Sequence, residues 1–171
     1  PSGLKILTVP MKNTGAFTLL VLVSTGSKYE SKQINGISHF LEHMFFKGTA
    51  DRPDPGQVNR ELDSIGAQHN AFTSKEITGY WVKAAKEYFD IGLDIVSDIL
   101  TKPLLSEEEI EKEKGVIMQE IKMRNDDPMS RVGYIFEKLL WGDQPAGWEI
   151  AGDDVTVRSL KRENFLDYFY S

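Results

Sequence analysis

The chain has 171 residues, 40% of them hydrophobic, no cysteine, and a formal net charge of −6 with an isoelectric point near 5.1. That length supports one core and one domain, and the acidity argues against a nucleic-acid binder, which needs a basic face. Without thiols there are neither disulfides nor thiolate metal sites, so any metal must be held by His and carboxylate.

No run reaches the twenty or so apolar residues that a membrane helix needs; the longest, Phe17 to Val23, is strand-sized. No signal-peptide pattern is present, and a start at Pro1 rather than Met carries the expectation of a processed protein or an excerpt from a longer one.

In chain order, Leu4 to Val9 alternates weakly and reads as a first strand. After the turn signal Asn13-Thr14-Gly15, Ala16 to Thr25 is β-rich and apolar enough for burial on both faces, so a central strand is expected. Gly26 to Asn35 is a polar connection. Asn35 is placed to cap a helix over Gly36 to Phe46, which turns Ile37, Phe40, Leu41 and Met44 toward a core.

That helix carries His39-Phe40-Leu41-Glu42-His43. His39 and His43 stand one turn apart on one face, and Glu42, three residues after His39, lies on the same side. Two imidazoles and a carboxylate so arranged are the groups of a zinc hydrolase: two neutral nitrogen ligands, and a base that takes a proton from water activated by the metal. The order is the inverse of His-Glu-x-x-His, the inverzincin pattern. Two of the only three histidines are used in it.

Downstream, Asp54-Pro55-Gly56-Gln57 opens a short helix that Gly66 ends. Gln68 to Ser74 and Ile77 to Lys83 form a close antiparallel hairpin. Phe89, Leu93, Val96 and Leu100 give helical spacing from Glu87 to Leu100, which Pro103 closes. Ser106-Glu107-Glu108-Glu109 caps a long helix to about Arg124 with Ile110, Ile117 and Ile121 as its buried stripe. Asp127-Pro128 starts another helix through Leu140; Trp141 to Ile150 is loop, and Arg162 to Tyr170 is a last helix.

A catalytic zinc keeps three protein ligands and one open position, so a third ligand is expected from an acid on a separate rigid element. Most acids of the long helix form a solvated face. Glu113 and Glu120 are seven residues apart and share a side, about 10 Å apart along the axis. Glu120 also adjoins Met118 and Ile121, where an unpaired carboxylate would be costly. Spacing by itself makes Glu120 a good candidate and no more.

The segments GSKYE, NGISHFLEHMFFKGT, HNAFTSKEITGYW, EKEKGVIMQEIKMRNDDP and WGDQPAGWEIAGDDVTVRSL, in this order, resemble the pitrilysin/insulinase family of inverted-zincin metallopeptidases. Within it they are similar to the branch of the mitochondrial processing peptidase β subunit and its bacterial relatives. The resemblance implies that His39, His43 and Glu120 hold Zn2+, that Glu42 is the general base, and that Glu113 supports the catalytic site electrostatically or by orienting a neighbour. It also implies that Asn70, Ala71, Phe72 and Thr73 form an edge strand that binds an extended peptide by β-augmentation, with Phe46 and Phe72 resembling pocket-lining aromatics. For those two rings, ordinary core packing is an equal reading. Alternation places His69 and Asn70 on opposite faces, so His69 turns away if Asn70 faces the site.

The expected fold is α+β: a mainly antiparallel sheet with helices packed on one face, a metallopeptidase half-domain of the processing-peptidase type. The resemblance further implies that residues 1–171 are one zinc-peptidase N-terminal catalytic domain, an incomplete part of a longer two-domain protein. The expected function is zinc-dependent endopeptidase action on short or unfolded peptides; the alternative is a non-catalytic peptide-binding or scaffold subunit of the same fold. The expected partners are a peptide substrate and a second homologous domain or subunit that completes the site, with neither nucleic acid nor membrane. The bacterial cytoplasm is the expected setting, with the mitochondrial matrix as the other.

Overall fold

In the computed structural model, which describes residues 3–171, three strands form one antiparallel sheet: β1 (Ala16–Val23), β2 (Gln68–Thr73) and β3 (Thr78–Ala85), in the order β1-β3-β2. A tight turn joins β2 to β3, with Ser74 N–H donating to the Ile77 carbonyl at 2.9 Å. Pleat alternation sets the faces. Phe17, Leu19 and Val21 of β1, Ala71 of β2, and Tyr80, Val82 and Ala84 of β3 turn to the helices, while Leu20 and Leu22 remain about half exposed on the other side.

Two strand expectations are corrected. β1 is an outer strand of this sheet rather than its centre, and β3 takes the middle. The apolar run of β1 looked suited to burial on both faces, but the helices cover only one. Leu4 to Val9 forms no strand, and its apolar side chains are exposed.

The helices are α1 (Ile37–Met44), α2 (Gln57–Ser64), α3 (Phe89–Thr101), α4 (Glu107–Asp126), α5 (Pro128–Trp141), α6 (Asp154–Ser159) and α7 (Arg162–Tyr170). α1 lies in the middle of the core: Ile37 and Phe40 are fully buried, and Phe40 meets Phe165 of α7 edge to face at 4.8 Å. Burying such a side chain is worth roughly 1.5–3 kcal/mol, so the apolar side of α1 anchors whatever its other side carries. On the same face of the sheet α3 packs Ile95, Val96 and Ile99 into this core. The α+β architecture with helices on one face is therefore as expected.

Helix starts follow local chemistry. Ser106 accepts from Glu109 N–H at the head of α4, and Asp127 accepts from Met129 and Ser130 N–H at the head of α5, where Pro128 fits the first turn. α6, absent from the sequence reading, has six residues, too few for a periodic pattern, although Asp153 and Thr156 form its capping box. α1 differs from expectation. Its N-cap is Gly36, in the left-handed region at φ 97°, and the Asn35 side chain points elsewhere.

Candidate metal centre

α4 buries Ile110, Glu113, Ile117 and Ile121, and Glu120 lies half-buried beside them, so two carboxylates are set at helical spacing among isoleucines. Ile117 is fully buried, and α4 packs along α1 so that both glutamates meet the histidines. His39 and His43 stand edge to face, with ring centroids 4.7 Å apart. Glu120 Oε2 lies 3.4 Å from His39 Nε2 and 3.6 Å from His43 Nε2. One nitrogen from each histidine and one oxygen of Glu120 all fall within 4.8 Å of one another.

These distances suit a metal. Ligand atoms about 2.0–2.2 Å from a tetrahedral zinc lie about 3.3–3.6 Å apart, and an N,N,O set is the one a hydrolytic zinc takes. His39 Nδ1 is buried with no partner, so the chemistry of that ring is directed through Nε2. His43 is set more firmly. Its Nδ1 lies 2.9 Å from Glu113 Oε1, and because a carboxylate accepts, Nδ1 donates and Nε2 keeps a free lone pair toward Glu120.

The electrostatics agree. Hydrogen bonding from His39, opposed by partial burial and aided by Arg124 and His43, brings the Glu120 carboxyl down to about 2. Burial pushes the Glu113 carboxyl up, yet hydrogen bonds from His43 and Lys47 outweigh it and hold the group below the usual carboxylate range. Both acids are thus ionised at neutral pH, as metal ligation and imidazole orientation require.

Glu42 stands outside the three-residue cluster. Its Oε2 accepts a short hydrogen bond from Thr73 Oγ1 on β2, which ties the end of the strand to α1. Phe46 stacks on His69 at 6.3 Å. His69, Ala71 and Thr73 share the α1 side of β2, whereas Asn70 and Phe72 project from the opposite, open face. There the Phe72 ring lies across Gly79, where a Cβ would meet it at 2.3 Å. The structure therefore brings together His39, His43, Glu120 and Glu113, and pairs Glu42, on the same helix as the histidines, with Thr73. It keeps the Asn70 and Phe72 side chains away from them.

The family described as Insulinase (Peptidase family M16) matches residues 5–154. The chain belongs to this family. Its M16 sequence is 37% identical over 169 residues to an uncharacterized zinc protease of Bacillus subtilis, covering 99% of this chain and 41% of that protein. It is 38% identical over 168 residues to the mitochondrial-processing peptidase subunit beta of Saccharomyces cerevisiae, covering 98% of this chain and 36% of the relative. The crystal structure of a protease from Helicobacter pylori superposes with a TM-score of 0.89 at 27% identity, over 94% of this chain and 39% of that one. The chain thus spans about 40% of the length of the curated relatives it matches. Among the described residues no helix is long and apolar enough to cross a membrane.

Three contributors at the M16 site were not singled out from sequence. Lys47 holds Glu113 at 2.6 Å, and Arg124 holds Glu120 at 2.5 Å. A signal for both was available, since each lies four residues after a site residue, His43 or Glu120. The third, Glu30, accepts from Gly36 and Ser38 N–H at the head of α1 from the preceding connection, six and eight residues away, and left no such trace.

Proposed function

We propose that this M16 chain is the zinc-binding catalytic domain of an endopeptidase acting on short or unfolded peptides. The observation that carries the reading is the convergence of His39, His43 and Glu120 beside a Glu42 carboxylate that is held apart from them by Thr73. In this reading the first three hold zinc and Glu42 is the general base. Zinc bound there would polarise the scissile carbonyl and lower the pKa of water. Glu42 receives the proton from the attacking water, and Thr73 keeps its carboxylate turned to the task. Glu113 acts through His43, fixing the tautomer of the ring.

Peptide binding falls to the outer edge of β2, whose other edge is taken by β3. An extended substrate adding there by β-augmentation would use the backbone from Asn70 through Ala71 and Phe72 to Thr73 and demand little of its sequence. Phe46, on the α1 side, and Phe72, on the open side, would flank its alternate side chains. The greater length of the relatives supports a further domain or subunit that completes the site. The setting we propose is the bacterial cytoplasm, with the mitochondrial matrix as the other, since the relatives include bacterial proteins and a mitochondrial-processing peptidase subunit. A purely scaffolding role is not favoured, because the full set of ligands and the base is present.

The test is zinc content of the purified chain by elemental analysis, with His39→Ala, Glu120→Gln and Glu42→Gln alongside. Near-stoichiometric zinc, lost in the first two variants and kept in the third, is the expected result, with peptide hydrolysis by the full-length protein abolished in Glu42→Gln. Hydrolysis that survives in Glu42→Gln would remove the assigned base.

A further inference from the structure

The histidine helix cannot cap itself. Gly36 at its N-cap has φ 97°, and a Cβ there would lie 2.5 Å from the Ala151 carbonyl oxygen, so neither the backbone nor the space admits Ser, Thr, Asp or Asn. α1 has only eight residues, and its first N–H groups are buried away from water. Left unpaired, each such donor costs on the order of 1–3 kcal/mol. A partner must come from outside the helix.

Glu30, six residues before Gly36 and itself only 4% exposed, supplies it. Its Oε2 accepts from Gly36 N–H at 2.7 Å and from Asn35 Nδ2 at 2.9 Å; its Oε1 accepts from Ser38 N–H at 2.8 Å. All three donors are uncharged amides. A buried carboxylate held in this way gains from the positive end of the helix dipole, which favours an anion at this terminus. The same Asn35 Nδ2 also reaches the Glu149 carbonyl at 3.1 Å, and Gly152 sits so close that a Cβ there would meet Asn35 O at 2.3 Å. Glu30 therefore ties the connection before α1, the first turn of α1 and the 149–152 loop into one unit. The residue after Ser38 is His39.

We propose that Glu30 is a positioning residue for the metal centre: a carboxylate delivered from the preceding connection replaces the N-cap side chain of α1 and fixes where His39 stands. The proposal rests on the reading of His39 as a metal ligand. Because Glu30 touches neither metal ligand nor substrate, its effect reaches the site through the backbone of the first turn.

The test compares Glu30→Gln and Glu30→Asp with Asp127→Ala, which removes the cap of α5 instead. Gln keeps the size but turns one acceptor into a donor facing N–H groups; Asp keeps the charge but loses reach. Amide hydrogen exchange in the metal-free chain, well below its melting temperature, is expected to quicken about tenfold or more over residues 38–44 in Glu30→Gln, less in Glu30→Asp, with α4 unchanged. Zinc affinity by chelator competition is expected to fall about tenfold or more in the same order, as for loss of other groups that orient ligands. Asp127→Ala should lower the melting temperature and alter neither readout. Exchange that is unchanged in α1, or faster everywhere alike, overturns the proposal, as does faster exchange with zinc affinity intact. If Glu30→Gln does not fold, Glu30→Asp carries the same two readouts. Should the parent bind no zinc, the metal reading fails, while exchange in α1 still decides whether Glu30 holds the helix.

Discussion

Glu113 and Glu120, one heptad apart on α4, address the two nitrogens of a single imidazole: Glu113 Oε1 lies 2.9 Å from His43 Nδ1, and Glu120 Oε2 lies 3.6 Å from His43 Nε2. The ring is held between them. Glu113→Gln should accordingly weaken zinc binding by about 10–100-fold, the usual cost of removing a group that orients a ligand, while leaving the ligand set complete. Competition with a chelator checks this, and an unchanged affinity would show that the His43 ring is held by packing instead.

Thr73→Val removes the hydroxyl that donates to Glu42 and keeps the shape of the side chain. A hydrogen bond to a charged group contributes about 1.5–3 kcal/mol, so peptide hydrolysis by the full-length protein should fall about tenfold or more with zinc content unchanged. The pair of measurements separates loss of orientation from loss of metal.

Arg52 is a structural clamp behind the site. It donates to Glu61 at 2.8 Å, Asp94 at 2.6 Å and Asp98 at 2.8 Å, and Asp98 also accepts from Thr49 Oγ1. Asp98 is almost fully buried, so Arg52→Met would leave its charge without a cation. The expected loss is about 3–5 kcal/mol of folding stability, measured by urea unfolding at neutral pH. A loss under about 1 kcal/mol would mean that water reaches Asp98.

Burial raises the Glu149 carboxyl above its ordinary 4.5, against the pull of Arg131, Arg124 and Lys75. A raised carboxyl favours the protonated state in the folded chain, so its contribution is full below about pH 4.5 and is lost as pH rises through the higher folded value. Glu149→Gln, neutral throughout, should therefore melt at a higher temperature than the parent at pH 7. The difference should shrink toward zero below about pH 4. A constant difference across that range would assign the effect to packing.

Local signals set several element boundaries. Ser106 and Asp127 mark the heads of α4 and α5, the Gly66 turn marks the end of α2, and α7 runs over the residues expected, because capping and turn chemistry act within a few residues. The His39-x-x-Glu42-His43 spacing likewise fixes which side chains share a helix side. Pairings across the chain were not legible. β1 reads as central because its residues are apolar, but only the layering of helices on one face decides that Leu20 and Leu22 stay open. Asn35 is a good cap by type, yet the contact of Gly36 with Ala151 assigns that task to Glu30.

Sequence by itself determined most of the longer elements, the histidine pair and the acidic candidates, since propensity and periodicity are properties of neighbours. Tertiary structure alone decided which oxygen meets which nitrogen: His43 and Glu113 are 70 residues apart, and only the packing of α4 on α1 makes them partners. The same packing turns two glutamates of like spacing into groups with different tasks, one toward the site shared by both histidines and one behind a single ring.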